Sequence, residues 1–201
     1  MLRGMATASL RADDLEAAAG MILDFADAAA FESWLAAHHE EPGGAWLRIA
    51  KKGSGATSVT TAQALEVALC YGWIDSQRKG LDGTHFLQKY SRRRPRGTWS
   101  KVNVARVEAL VAAGRMREPG LAEVAAARAD GRWAAAYEPQ RLADPPDDLL
   151  AALEAAPVAK ARFDALGRTR RYGLILPLLK AATPEHRAAL LTRTVTALAA
   201  D

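Results

Sequence analysis

A single cysteine, Cys70, is all the thiol chemistry in the 201 residues. One cysteine cannot close an internal disulfide or build a Cys-rich metal site, and it suits a reducing compartment, so the cytoplasm is the expected location. Aromatic residues are scarce at 6%, whereas alanine occurs 45 times and half of the chain is apolar. The core should therefore be small and aliphatic, supplied mostly by helices, in one large or two small domains. The sequence lacks any charge-free apolar stretch approaching about eighteen residues, so no membrane span is expected. Near the N-terminus, Asp13, Asp14 and Glu16 stand where the apolar part of a signal peptide would have to be, which argues against secretion. No repeat of fixed period is apparent.

Catalytic spacings are missing as well. The four histidines, His38, His39, His85 and His186, form no HExxH, and there is no CxxC, so no metal site and no cofactor are implied. No G-x-S-x-G elbow is present, and Cys70, in the last turn of an amphipathic segment, reads as a core residue and not a thiolate nucleophile.

What is present is a concentration of positive charge. Residues 78 to 106 hold nine basic side chains (Arg78, Lys79, Lys89, Arg92, Arg93, Arg94, Arg96, Lys101, Arg106) against one acid, Asp82, a local charge of +8 that leaves the rest of the chain at −4. The basic character belongs to one region, where an anionic partner should meet the protein; a solvated loop paired to the acidic remainder is the structural alternative.

Read for periodicity, residues 1–24 form a mobile leader, with Met5 a second candidate start. Ala26 to His38 reads as an amphipathic helix ended by Glu41-Pro-Gly-Gly44, and Ala45 to Lys51 as a strand. Thr60 and Gln63 make a capping box for a helix stopped at Gly72. Trp73 to Gln77 and His85 to Arg92 read as two strands joined by the turn Gly80-Leu-Asp-Gly83. Ser100 caps a helix that runs to Gly114. Beyond it, Pro119–Ala129, Gly131–Tyr137, Asp147–Ala155, Pro157–Leu166, Arg171–Ala181 and Pro184–Ala199 all read as helical. This predicts an α+β fold, with a small antiparallel sheet and flanking helices in residues 25–141 and a helical region in 142–201, joined by a linker near Arg141 to Pro146.

Two segments carry candidate binding chemistry. Strict alternation along the first strand of the hairpin would place Trp73, Asp75, Gln77 and Lys79 on one face and Ile74, Ser76 and Arg78 on the other, setting a carboxylate beside an indole. Asp75 would then either line a polar pocket or tie down the basic loop through an ion pair. In the second segment, Arg94, Arg96 and Lys101 stand beside Trp99, at a helix N-terminus capped by Ser100 and followed by Asn103. An anion stacked on an indole would suit it, and a cap with an Arg-rich turn is its structural alternative. The loop Lys51-Lys-Gly-Ser-Gly-Ala-Thr-Ser58 lies where backbone N–H groups can hold phosphate, but it lacks the G-x-x-x-x-G-K-[ST] order and reads as a connecting loop.

The stretches FESWLAAHHEEPGGAWLRIAKK (31–52), ALCYGWIDSQRKGLD (68–82), the PR…WSKVN run (95–103), GRM with PGL (114–121) and DGRWAAAY (130–137) resemble the YdeI/OmpD-associated, or bacteriocin-protection, family over about residues 25–200. The spacer PRGTWS is shorter than the family's, and Thr183-Pro-Glu-His-Arg187 replaces its E-T-R-x-x-R-like run. The resemblance implies an α+β N-terminal part, a helical C-terminal part and a link to resistance against bacteriocins or cationic antimicrobial peptides, including association with an outer-membrane porin. It brings no catalytic mechanism.

The expected protein is thus a non-enzymatic, cytoplasmic stress or antimicrobial-protection protein. It would bind an anionic small molecule or a protein partner through Trp73, Asp75, Arg78, Lys79, Arg94, Arg96, Trp99, Ser100, Lys101 and Asn103. The alternative is a small-molecule enzyme or sensor in the same pocket, with Asp75 as acid or base and Arg96 and Lys101 holding a carboxylate or phosphate. Nucleic acid ranks last, since no recognised binding module is present. Homo-oligomerisation stays open.

Overall fold

The computed structural model describes residues 22–139, 142–181 and 183–200. The α+β expectation holds. In chain order the elements are β1 (Ile22–Leu23), α1 (Ala28–His38), β2 (Ala45–Ala50), α2 (Thr61–Cys70), β3 (Trp73–Gly80), β4 (His85–Arg92), α3 (Lys101–Ala112), α4 (Glu118–Ala129), α5 (Asp147–Glu154), α6 (Pro157–Ala165), α7 (Arg168–Leu179) and α8 (Pro184–Ala200). Most of the leader, residues 1–21, lies outside the described residues, as does position 141, the first of the linker. Ile22 and Leu23 pair in parallel with Trp46 and Leu47 as a short edge strand.

The described chain forms two compact units. The first takes in the chain up to Gly97 together with Ala105–Trp133, and the second Thr98–Val104 with the chain from Ala134 on. The first unit is built on a sheet of order β1-β2-β4-β3, antiparallel except at β1. Helices α1 and α2 cover the face that carries Tyr90: the Phe31 and Tyr90 rings meet at 5.8 Å, and the Tyr90 hydroxyl donates to the Thr61 carbonyl at 3.3 Å. Phe31, Leu35, Leu47, Ala64, Val67, Ala68, Trp73 and Tyr90 are buried there, so the small aliphatic core expected from composition is completed by a few aromatics.

Local signals explain these elements. Thr60 Oγ1 accepts from the Gln63 N–H while Gln63 Oε1 accepts from the Thr60 N–H, the reciprocal box that starts α2. At its other end Gly72 adopts φ +74°, a left-handed conformation that turns the chain from helix into β3. Gly120 meets a different need: a Cβ there would lie 2.2 Å from the Cys70 carbonyl oxygen, so only glycine lets α4 approach the end of α2.

One expected helix is absent. Residues 131–137 form turns, because Gly131 at φ +81° ends α4, the Trp133 N–H closes back onto the Ala127 carbonyl at 2.9 Å, and Tyr137 is taken by a bridge to Ser100. In that bridge the Tyr137 N–H donates to the Trp99 carbonyl and the Lys101 N–H to the Tyr137 carbonyl, at 3.0 and 2.9 Å, so the Tyr137 backbone groups are committed outside any helix.

The second unit packs α5 to α8 around Leu149, Leu153, Ala159, Phe163, Ile175, Leu178 and Leu190. Arg187 ties it together: Nε and Nη2 hold the two Asp148 carboxylate oxygens at 2.6 and 2.8 Å, and Nη1 donates to the Leu178 carbonyl at 2.7 Å. Among the described residues no helix is long and apolar enough to cross a membrane.

Candidate functional site

The site is shaped by an irregularity in the hairpin. Along β3, Asp75 opposes Tyr90 and Arg78 opposes Gln88, so two residues of β3, Ser76 and Gln77, stand where β4 has only Lys89. Gln88 is 3% exposed and bridges this bulge: its amide nitrogen donates to the Gln77 carbonyl at 3.0 Å, and its oxygen accepts from Arg78 Nε at 2.8 Å. A buried amide is thereby satisfied by the strand it bends.

The bulge corrects the alternation expected from sequence. Directly paired residues share a face, so Asp75 and Arg78 both stand with Tyr90 and Gln88 on the helix-covered side. Trp73, opposite Arg92, keeps to that side as well. Lys79 pairs with Leu87 and turns to the other face, where its ammonium sits 5.1 Å from the centre of the Trp46 ring, with the Lys89 ammonium at 5.9 Å. Arg78, opposite Gln88, has taken the place expected for Gln77, and its guanidinium lies 4.6 Å from the centre of the Phe86 ring.

Two hollows open beside this strand. The smaller, about 230 Å³, is lined by Thr61, Ala62, Leu65, Asp75, Arg78, Gln88, Tyr90 and Arg106. Burial pushes the Tyr90 phenol well above its usual pKa, and the Asp75 charge adds to the shift, so this hydroxyl stays a neutral donor. The larger, about 580 Å³, shares Thr61 and Arg78 and adds Lys51, Lys52, Ser58, Thr60 and the apolar Ile49 and Phe86. The Lys51–Ser58 segment, a connecting loop by its sequence, is a wall of this cleft. The signal available was a pair of lysines immediately ahead of a capped helix.

The remaining expected residues divide between the units. Trp73 is fully buried and donates its Nε1–H to the His39 carbonyl at 2.7 Å, while meeting Trp34 edge-on, so it anchors β3. Arg94 and Arg96 are exposed on a tight turn closed by the Gly97 N–H on the Arg94 carbonyl at 2.9 Å. In that turn Arg96 stands at φ +60°, the one non-glycine residue among those described with a positive φ. Nearby, Arg132 holds the Asp130 carboxyl below the ordinary carboxylate range by hydrogen bonding, with a smaller pull from Arg96. In the second unit Trp99 is 2% exposed, Ser100 accepts from the Asn103 N–H at 3.3 Å as a helix cap, and Lys101 pairs with Glu138.

Chemically, the arrangement offers cations and hydroxyls. Burial raises the Cys70 thiol pKa, Arg115 opposing, which keeps the sulfur protonated in the core. Among the described residues no three His, Cys, Asp or Glu side chains are grouped to hold a metal ion.

Residues 23–123 match a family model described as a domain of unknown function, DUF8412. Residues 143–201 match one described as Bacteriocin-protection, YdeI or OmpD-Associated, the family that the sequence resembles. The hairpin and the basic turn fall within the first match, and the Arg187-centred helices within the second. No curated protein and no solved structure matches the chain.

Proposed function

We propose, for a chain that belongs to the DUF8412 domain family and carries the bacteriocin-protection, YdeI or OmpD-associated match over its C-terminal helices, that it is a non-enzymatic protection protein of the cytoplasm. It acts against bacteriocins or cationic antimicrobial peptides by holding an anionic or mixed-charge partner, not by turning over a substrate. The description of the C-terminal match supports the protective role. The partner site is centred on the basic turn that follows β4.

Arg96 is the observation that carries this reading. A tight turn with Pro95 at its second position and a left-handed residue at its third is the place for glycine. Arginine there costs on the order of 1 kcal/mol of backbone strain. Strain held at an exposed side chain supports a role for its guanidinium, and Arg94 on the same turn doubles the charge.

The test is an Arg94→Ala/Arg96→Ala variant expressed to the wild-type level in cells challenged with a bacteriocin and with a cationic peptide. Survival should drop towards that of cells lacking the protein. Full protection by the variant at equal protein level would refute the assignment.

A further inference from the structure

We propose that the cleft between Lys51, Lys52 and Arg78 binds a small molecule bearing a phosphate monoester on an apolar or aromatic body. This goes beyond the protection reading, since it concerns a small-molecule site read by direct binding. Three cations reach the cleft from two stretches of chain: Lys51 and Lys52 just past β2, and Arg78 on β3. No aspartate or glutamate lines it. Its volume of about 580 Å³ suits a small ligand.

Two of the cations are braced before any ligand arrives. Lys51 Nζ donates to the Asp82 carbonyl at 2.5 Å, and Arg78 Nε to Gln88 at 2.8 Å, so part of the ordering cost of binding is already met. Arg78 reaches the cleft only because the bulge sends it to the Tyr90 face. Thr61 adds a hydroxyl and the start of α2 the positive end of the helix dipole, the Thr60 hydroxyl being committed to Gln63 in the capping box. Such a set matches a dianionic phosphate better than a single carboxylate charge. Phe86 and Ile49 supply an apolar surface beside the cations, which a bare inorganic ion would leave unused.

The experiment is calorimetric titration of the full chain with phenyl phosphate, inorganic phosphate and phenol at matched ionic strength. Phenyl phosphate should bind one per chain, inorganic phosphate more weakly, and phenol not at all. Lys52→Ala and Arg78→Gln should each weaken phenyl phosphate about tenfold or more, whereas Arg193→Ala, in the second unit, should leave it unchanged. Arg78 braces a buried glutamine and its variant can misfold; Lys52 is exposed on a loop, so its variant keeps the test decisive. Absence of binding at millimolar phenyl phosphate, or binding that Lys52→Ala leaves intact, would overturn the proposal. Cell survival plays no part in this readout, so failure here and failure of the Arg94/Arg96 assignment are separate results.

Discussion

Gln88 and Arg78 face each other across the β3–β4 ladder and are joined by a 2.8 Å hydrogen bond, with the Gln88 amide also capturing the carbonyl of Gln77. One buried side chain therefore holds both the bend in the strand and the cation that the bend delivers. Gln88→Leu keeps the volume but leaves the Gln77 carbonyl without this donor, at a cost of about 1–3 kcal/mol. Urea unfolding should show a lowered midpoint, and phenyl phosphate affinity should fall with it because Arg78 loses its brace.

The Arg187–Asp148 pair gives the second unit a pH dependence of definite sign. Hydrogen bonding from Arg187 holds the Asp148 carboxyl below its ordinary value of 3.8. A depressed carboxylate pKa contributes stability that is fully present above the unfolded value and is lost as pH falls through the folded one. Wild-type protein should thus lose this contribution below about pH 3.8, and Asp148→Asn should show a flatter acid profile in the same window. Both side chains are about a third exposed, so screening limits Arg187→Ala to about 1–2 kcal/mol at neutral pH, measurable by thermal denaturation.

Gly120→Ala tests the closest approach in the first unit. The added Cβ would lie 2.2 Å from the Cys70 carbonyl oxygen and 2.9 Å from that of Leu69, both backbone atoms that cannot swing away. Alanine normally favours a helix, so propensity alone would stabilise. The clash should win, lowering stability by about 1–3 kcal/mol in chemical denaturation. Stability equal to wild type would mean that α4 can move off α2 at little cost.

At the basic turn, Arg96→Gly removes the strain that Arg96→Ala retains. Glycine should be more stable than alanine here by about 1 kcal/mol, the reverse of the usual order, and thermal denaturation of the two variants would show it. Both lack the guanidinium, so both should lose protection equally if that group is what the turn presents.

Much of the fold was legible from local chemistry. The Thr60/Gln63 box, the Gly72 stop and the Ser100 cap each depend on residues within a few positions of one another, and all three stand where the sequence puts them. The turns at 131–137 were not legible, because the bonds that oppose a helix there come from Trp99 and Lys101, more than thirty residues earlier. Asp75 and Arg78 show the same limit in the site. Alternation separates them, and only a buried glutamine on the neighbouring strand, a long-range partner, brings them to one face. Lys51 and Lys52 were visible as residues but not as cleft walls, since their neighbour Arg78 arrives by that same bulge.

The bulge also separates chain length from charge placement at residues 76 and 77. Asp75 opposes Tyr90 and Arg78 opposes Gln88, so removing one of the two residues between them would restore simple pairing and leave both on the face they now hold. Straightening the strand at its present length would instead send the guanidinium to the Trp46 face and bring the Lys79 ammonium to the cleft side. Between relatives of this chain, a one-residue gap in this strand would therefore keep the cation in place, whereas an unbulged strand of equal length would exchange it with no substitution at all.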